Sequence, residues 1–349
     1  MPAPHLRGST PEELVRAFGD VGLDLRSARR VLERLVAGDR DDLEGIEGLS
    51  RIRREALLAR GRRDRLEVLD RRASSVDPFV KYLFRAGDGK VFESVRIPLE
   101  KPRWSVCVSS QAGCAIGCAF CETGRLGFER NLESWEIVEQ VLAIRREGRE
   151  RPVTSVVFQG QGEPFQNYEN VLRAAAIFRN PNGLKIRGEA VTISTVGILP
   201  AIERFTEEGH VHRLILSITS AFDGKREALI PTGRRWPVRE LAAAMRRHRR
   251  RHGGVIHLAW VLMDGVNTGD DEARELELLF RGDPVRVHVI EVNDPTGRFR
   301  APGDAERRRF LAALGARGLP FVRRYSGGPD IHAACGMLAA TARGGSPVA

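Results

Sequence analysis

Apolar residues recur along this chain with two different periods, and the change of period divides it. Over residues 1–75 the spacing is three or four. Leu14, Val15 and Phe18 follow the start signal Ser9-Thr10-Pro11-Glu12-Glu13. Ala28, Val31, Leu32, Leu35 and Val36 share one side of 25–36, and Ile52, Ala56 and Leu57 one side of 51–60 behind Ser50. That spacing predicts amphipathic helices, with hydroxyl caps, then proline and acids, at the first start. Between 76 and 103, Phe79-Val-Lys-Tyr-Leu-Phe84 and Lys90-Val-Phe-Glu-Ser-Val-Arg-Ile97 flank Gly87-Asp88-Gly89, a hairpin signal. From 104, apolar runs at 106–109, 153–158, 190–194, 213–218, 255–262 and 285–290 alternate with helical patterns at 135–146, 169–178, 199–205, 238–252, 271–280 and 305–314. Continuous apolar strands separated by helices predict a parallel sheet covered on both faces. Six units predict a partial α/β barrel, with a flat doubly wound sheet as the competing topology. The expected division is a helical accessory domain at 1–75, a β-hairpin extension at 76–103, the barrel at 104–326, and a C-terminal loop and tail at 327–349. The tail, Gly344-Gly-Ser-Pro-Val-Ala349, reads as loose.

Composition narrows the class. With 42% hydrophobic residues in 349, the chain can build a core. It has no run of about 18 apolar residues and so no expected membrane span. The start, Met1-Pro-Ala-Pro-His-Leu-Arg7, lacks the apolar stretch of a signal peptide, so a cytoplasmic protein is expected. The net charge is +10, most of the cations being arginine. A genomic preference for arginine codons and a polyanionic partner such as RNA or DNA both explain this. The run Arg246-Arg-His-Arg-Arg-Arg-His252 reads as a solvated helix face, or as a phosphate contact acting through charge alone.

Chemistry is concentrated in the cysteines. Cys107, Cys114, Cys118 and Cys121 fall within one short stretch, and Cys335 stands alone near the C-terminus. A secreted disulfide framework would spread them. Cys114-x3-Cys118-x2-Cys121 puts three thiolates on one loop after the first barrel strand. Three thiolates bind three irons of a cubic cluster and leave the fourth open. A structural zinc site would want a fourth protein ligand, and neither His248 nor His332 has ligand spacing from the loop. The other strands end in Gly160-Gln-Gly-Glu163-Pro164, Ser194-Thr-Val-Gly197, Ser217-Ile-Thr219 and Asn293-Asp-Pro295. Together these polar, Gly-rich ends describe one rim, where α/β barrels keep their sites.

Cys-x3-Cys-x2-Cys with Phe120 before the last cysteine resembles the radical S-adenosylmethionine (SAM) superfamily. Three longer strings resemble the RlmN/Cfr family of RNA adenine methyltransferases: Cys107-Val-Ser-Ser-Gln-Ala-Gly-Cys114, Gly127-Phe-Glu-Arg-Asn-Leu132 and Asp330-Ile-His-Ala-Ala-Cys335-Gly336. The resemblance covers about 80–340. It implies a partial (β/α)6 barrel of the radical SAM type, with Cys114, Cys118 and Cys121 holding a [4Fe-4S] cluster. It implies SAM contacts at Gly162, Glu163, Ser194, Ser217, Ile218, Thr219 and Asn293. It implies that Cys335 is methylated by one SAM, and that a second SAM is cleaved to a radical that takes a hydrogen from that methyl. The methylene then adds to an adenine ring carbon, Glu93 removes the ring proton, and Cys107 releases the product by forming a disulfide with Cys335. The implied substrate is rRNA, tRNA or both, methylated at C2 in preference to C8. The implied company is an electron donor such as flavodoxin, with no membrane and a monomeric chain. A radical is needed because an adenine ring C–H is neither acidic nor nucleophilic enough for polar methyl transfer, and a cofactor supplies one. The target base must leave its stack to reach a buried centre. The rim departs from the family. Ser217-Ile-Thr-Ser220 replaces Ser-Leu-His-Ala, Gln159-Gly-Gln-Gly-Glu-Pro-Phe165 replaces Met-Gly-Met-Gly-Glu-Pro-Leu, and Val292-Asn-Asp-Pro295 replaces Trp-Asn-Pro. The chain therefore resembles a divergent branch. A radical enzyme with another RNA, a small molecule or a protein as substrate, and a zinc-stabilised RNA-binding protein, are the alternatives.

Overall fold

The computed structural model describes residues 3–100, 102–148 and 150–339; the tail at 344–349 lies outside them. Helix α1 (Pro11–Phe18) opens on a reciprocal cap, Thr10 Oγ1 accepting from Glu13 N and Glu13 Oε2 from Thr10 N. It packs with α2 (Leu25–Leu32), which runs on through a π turn at Glu33–Ala37, and α3 (Arg51–Arg60) lies beside them. Leu6, Leu14, Phe18, Leu23, Val31, Leu35 and Leu57 form an apolar cluster of their own there. The all-helical expectation for 1–75 fails at its end, where Glu67–Ala73 is a strand, β1. Its residues are exposed but for one, so it shows no buried-exposed alternation. It exists because β2 (Val80–Arg85) offers it an antiparallel partner.

The predicted hairpin is present as β2 and β3 (Val91–Pro98), turning through Gly89 at φ +82°. β3 then pairs antiparallel with β4 (Trp104–Val108). From β4 the strands run parallel: β7 (Val153–Phe158), β8 (Val191–Thr195), β9 (Arg213–Ser217), β10 (Ile256–Leu262), β11 (Val285–Glu291) and β12 (Phe321–Arg323). Each lies beside its predecessor in the order β1-β2-β3-β4-β7-β8-β9-β10-β11-β12. A doubly wound sheet reverses its order at a switch point. This one does not, and β1 and β12 remain as its edges, which makes it the expected partial barrel. β12 is a seventh parallel strand that the apolar pattern does not mark.

Helices α5 (Ser134–Glu147), α6 (Tyr168–Arg179), α7 (Leu199–Glu207), the short α8 (Asp223–Leu229), α9 (Val238–His252), α10 (Asp270–Leu279) and α11 (Asp304–Ala316) follow the strands. Val106, Val156, Ile193, Leu216, Leu258 and Val287 share one buried core with Val138, Ala175, Ile202, Leu241, Leu276 and Leu314 from them. The expectation of helices on both faces is corrected here. The alternate strand positions, Ser105, Ser155, Thr192, Arg213, Ala259 and His288, turn inward and line a lumen. Period two governs which side chain goes where, and in this sheet it separates core from cavity.

Candidate active site

The cysteine loop is held at its base by a two-stranded clamp, β5 (Gln111–Gly113) against β6 (Phe128–Asn131). Cys114 N donates to Gly127 O at 2.8 Å. Gly113 has φ +74°, and a Cβ on it would lie 2.0 Å from that same Gly127 oxygen, so only glycine fits. Cys121 N donates to Cys118 O at 3.1 Å and starts α4 (Glu122–Leu126).

The C-terminal loop is laid over this one. Glu122 N donates to Gly336 O and Thr123 Oγ1 to Leu338 O, both at 2.7 Å. Further along, Asp77 Oδ2 accepts from Gly328 N and Tyr325 OH, and Asp330 from Ser74 Oγ, Ser75 N and Ser75 Oγ. Cys335 N donates to Ser326 Oγ at 2.7 Å, and Asn293 Nδ2 reaches the same hydroxyl at 3.2 Å. These bonds bring a residue over 200 positions downstream against the first barrel strand.

One pocket at the C-terminal strand ends gathers Cys114, Cys118, Cys121, Gly162, Glu163, Ser194, Ser217, Asn293 and Cys335. Its empty volume is about 870 Å3. Ile218 and Thr219 do not line it. Ile218 packs into the main core, and Thr219, at φ +61°, is fully buried with its carbonyl accepting from Asn267 Nδ2. Glu163 is buried, Oε1 accepting from Phe165 N and Oε2 from Val196 N, and burial pushes its carboxyl up to about 6. Cys107 faces inward from β4 opposite Val95. Burial raises its thiol well above the usual range, and Cys335 lies near enough that a charge on one opposes a charge on the other. Glu93 sits two residues before Val95 on the same face. Its Oε1 is 2.8 Å from Lys81 Nζ and its Oε2 accepts from Ala339 N at 2.8 Å. All five cysteines are free thiols.

The donor set fits the cluster that the resemblance implies. Burial raises the Cys114 thiol to about 11 and Cys118 well above its usual range, and the neighbouring thiolates add repulsion. Such thiols ionise only against strong positive charge. Among the described residues no three His, Cys, Asp or Glu side chains converge on a single ion, and a cubic cluster asks for thiolates on three separate irons. Arg226 supplies a second sign. It is 1% exposed, Nη2 donates to Val196 O, and Nε and Nη1 have no partner among the described residues. Burial lowers it to about 10, and a Cys118 thiolate nearby would favour its charge. A buried guanidinium with two orphaned donors beside a thiolate suits an anionic cluster.

Sequence reasoning missed Arg226, Lys81, Ser326 and Asp77. Lys81 left a signal, a cation inside the apolar run Phe79-Val-Lys-Tyr-Leu-Phe84. The others carry none, because their roles arise from segments far apart in the chain.

The radical SAM superfamily matches residues 108–279. The chain is 45% identical to a probable RNA methyltransferase of Anaeromyxobacter sp. (strain Fw109-5), over 97% of this chain and 99% of that one. It is 37% identical to the dual-specificity RNA methyltransferase RlmN of Syntrophotalea carbinolica, over 95% and 89%. A solved radical SAM methyltransferase from Sphaerobacter thermophilus superposes with a TM-score of 0.88 at 37% identity, covering 96% of this chain and 99% of that one.

Proposed function

Because the chain belongs to the RlmN/Cfr family of radical SAM RNA methyltransferases, we propose that it methylates a ring carbon of adenine in RNA through Cys335 and Cys107, at C2 in preference to C8. One observation carries this reading: the C-terminal loop places Cys335 in the same pocket as the cysteine triad, while Cys107 faces it from β4. Cys114, Cys118 and Cys121 would hold the [4Fe-4S] cluster, and Gly162, Glu163, Ser194, Ser217 and Asn293 would hold SAM, with Ile218 and Thr219 setting the backbone behind Ser217. Bound there, these cofactors supply a methyl group and a hydrogen-abstracting radical.

The protein's own residues do the rest. Cys335 sulfur loses its proton and takes the methyl. After one hydrogen is removed, the carbon on that sulfur bonds to the adenine ring. The Glu93 carboxylate takes the ring proton, and the one electron the adduct gives up would go to a cluster held by Cys114, Cys118 and Cys121. Cys107 sulfur then attacks Cys335 sulfur as its own proton leaves. The S–S bond forms, the S–C bond breaks, and its electron pair stays on carbon, which takes a proton and becomes the new methyl. Lys81 and Ala339 N fix the Glu93 carboxylate for its part.

The RNA is rRNA, tRNA or both, the electron donor is a protein such as flavodoxin, and the enzyme works as a cytoplasmic monomer. The four-part division at 75, 103 and 326 belongs to the same reading. No helix among the described residues is long and apolar enough to cross a membrane. A radical enzyme with another RNA, a small molecule or a protein as substrate is the second reading, favoured by Thr219 turning away where the family carries histidine. Nucleoside mass spectrometry of RNA incubated with the loaded enzyme tests the choice. Cys335→Ala should abolish methyladenosine while keeping its iron; full product from that variant removes the cysteine route, and no methylated nucleoside from the wild type removes the RNA reading.

A further inference from the structure

A second chamber lies beneath the first. It occupies the N-terminal half of the lumen, with an empty volume of about 2000 Å3, and shares Gln159, Ile290 and Cys335 with the upper pocket. Cys335 therefore stands at a throat between two cavities. Closed α/β barrels fill this region with bulky branched side chains. Here Ser105, Ser155, Thr192 and Ala259 leave space between Val153, Val157, Ile215 and Ile290.

The lower chamber is basic. Arg103, Lys185, Arg187, Arg213 and Arg324 line it, and Glu189, the acid among its described lining residues, lies 3.8 Å from Arg187. Arg213 and Arg324 make no ion pair within 4 Å among the described residues, although 41 such pairs form elsewhere among those residues. Arg324 is nevertheless oriented. Its Nε donates to His288 Nδ1 at 3.1 Å, and His288 Nε2 lies 2.9 Å from His257 Nδ1. A guanidinium only donates, so His288 Nδ1 accepts, its Nε2 carries the proton, and His257 Nδ1 accepts in turn. Burial, with the arginines around them, holds His288 down to about 3 and His257 to about 4. The relay is thus neutral and adds no charge of its own. It spends its polarity on holding Arg324, which lines the chamber. Arg324 is also close enough to Cys335 for their charges to interact.

We propose that Arg213 and Arg324 clamp a backbone phosphate beside the target adenine, so that the nucleotide enters through the lower chamber and meets Cys335 at the throat. This rests on the RNA methyltransferase reading and adds to it a binding site and a direction of approach. Two unpaired guanidiniums suit a phosphodiester, whose oxygens accept in a fork geometry. A flipped nucleotide carries its phosphate on the same sugar as its base, so a clamp that lines the chamber ending at Cys335 can hold the one while the other meets the sulfur. Cofactor and substrate then reach the same sulfur from opposite ends of the lumen.

The test is equilibrium binding of a short single-stranded oligoribonucleotide, with one adenosine, to the cluster-loaded enzyme over a range of salt. Arg213→Gln and Arg324→Gln should each weaken binding about tenfold and reduce the slope of log K against log salt by about 0.7, the share of one phosphate. Arg213→Lys, which keeps the charge, should keep the slope. Unchanged affinity in either glutamine variant overturns the clamp, as does weaker binding with an unchanged slope, or a slope lost equally in Arg213→Lys. Nucleoside mass spectrometry of the same RNA separates the two claims. Methylation by the wild type with indifferent arginine variants sinks the clamp alone. Arginine-dependent binding without any methylation sinks the catalytic reading and leaves the clamp standing.

Discussion

Arg226 carries a charge into a place where little else among the described residues answers it. It is 1% exposed, and two of its nitrogens find no partner among the described residues. Replacing it with glutamine removes a positive charge from beside Cys118. The oxidised, less negative form of a bound cluster should then be favoured. We expect Arg226→Gln to lower the cluster's reduction potential by roughly 60 mV, a tenfold shift in a one-electron equilibrium. Potentiometry followed by electron paramagnetic resonance reads this directly, and an unmoved potential would dissociate Arg226 from the cluster. The cysteines differ from Arg226 in legibility. Cys114, Cys118 and Cys121 announce themselves by spacing, since ligands on one short loop need no fold to be neighbours. Cys107 and Cys335 were joined only by resemblance, and tertiary contact is what brings them near each other. Thr219 shows the reverse. It lies in a motif position of the rim, yet a left-handed backbone turns it into the core.

Elements too short or too exposed to alternate were invisible. β12 has three residues, all exposed, and β1 exposes all but one of seven, so neither has a buried face to write into the sequence. The β5–β6 clamp is as short, and it positions the whole cysteine loop. Its tolerance is narrow because Gly113 approaches Gly127 O at a distance no Cβ accepts. Gly113→Ala should force the clamp open. We expect reconstituted iron and sulfide to fall several-fold while far-ultraviolet circular dichroism stays native, because the ten-stranded sheet does not depend on this pair. Full iron incorporation would mean that the loop holds its shape without the clamp. The basic run at 246–252 is resolved at this scale too. Arg246 and Arg249 pair with Asp283, Arg247 with Glu203, and Arg251 donates to Glu207 O. The run fastens α9 to its neighbours, while Arg250 and Arg251 meet no carboxylate within 4 Å among the described residues.

Across the molecule, the helical N-terminal segment is fastened to the barrel by His5. Its ring stacks on Trp135 of α5 with centroids 4.4 Å apart, and Nε2 meets Asp64 O at 3.1 Å. Burial lowers this histidine to about 3. The unfolded chain therefore binds a proton near pH 6.5 that the folded chain refuses, so His5 contributes stability that is present above 6.5 and lost as pH falls towards 3. Urea-unfolding free energy should fall with acidity across that window. His5→Asn should flatten the slope by about 1.4 kcal/mol per pH unit between roughly pH 6 and 4. Parallel pH profiles for variant and wild type would contradict this. The net charge of +10 also looks different at this scale. Much of the arginine surface is spent on internal pairs, such as Arg65 and Arg146 with Asp39 and Glu139. The unpaired cations of the lumen are a small remainder, and they lie where a substrate would pass.

The sequence alone determined what depends on neighbours along the chain. The 3.6-residue and two-residue periods, the hairpin turn and the cysteine triad all follow from local spacing, and they were enough for a partial barrel and for the expectation of an iron-binding loop. The tertiary structure decided what depends on which distant segments meet. It turned one strand face to the helices and the other to a lumen, because an open, singly wound sheet curls around one side only. It folded the C-terminal loop back so that Cys335 stands between two chambers. It also left Arg226, Arg213 and Arg324 without acidic partners within 4 Å among the described residues. A side chain's partner is set by the packing of remote elements, so an arginine paired on the surface and an arginine facing a lumen look alike in the sequence.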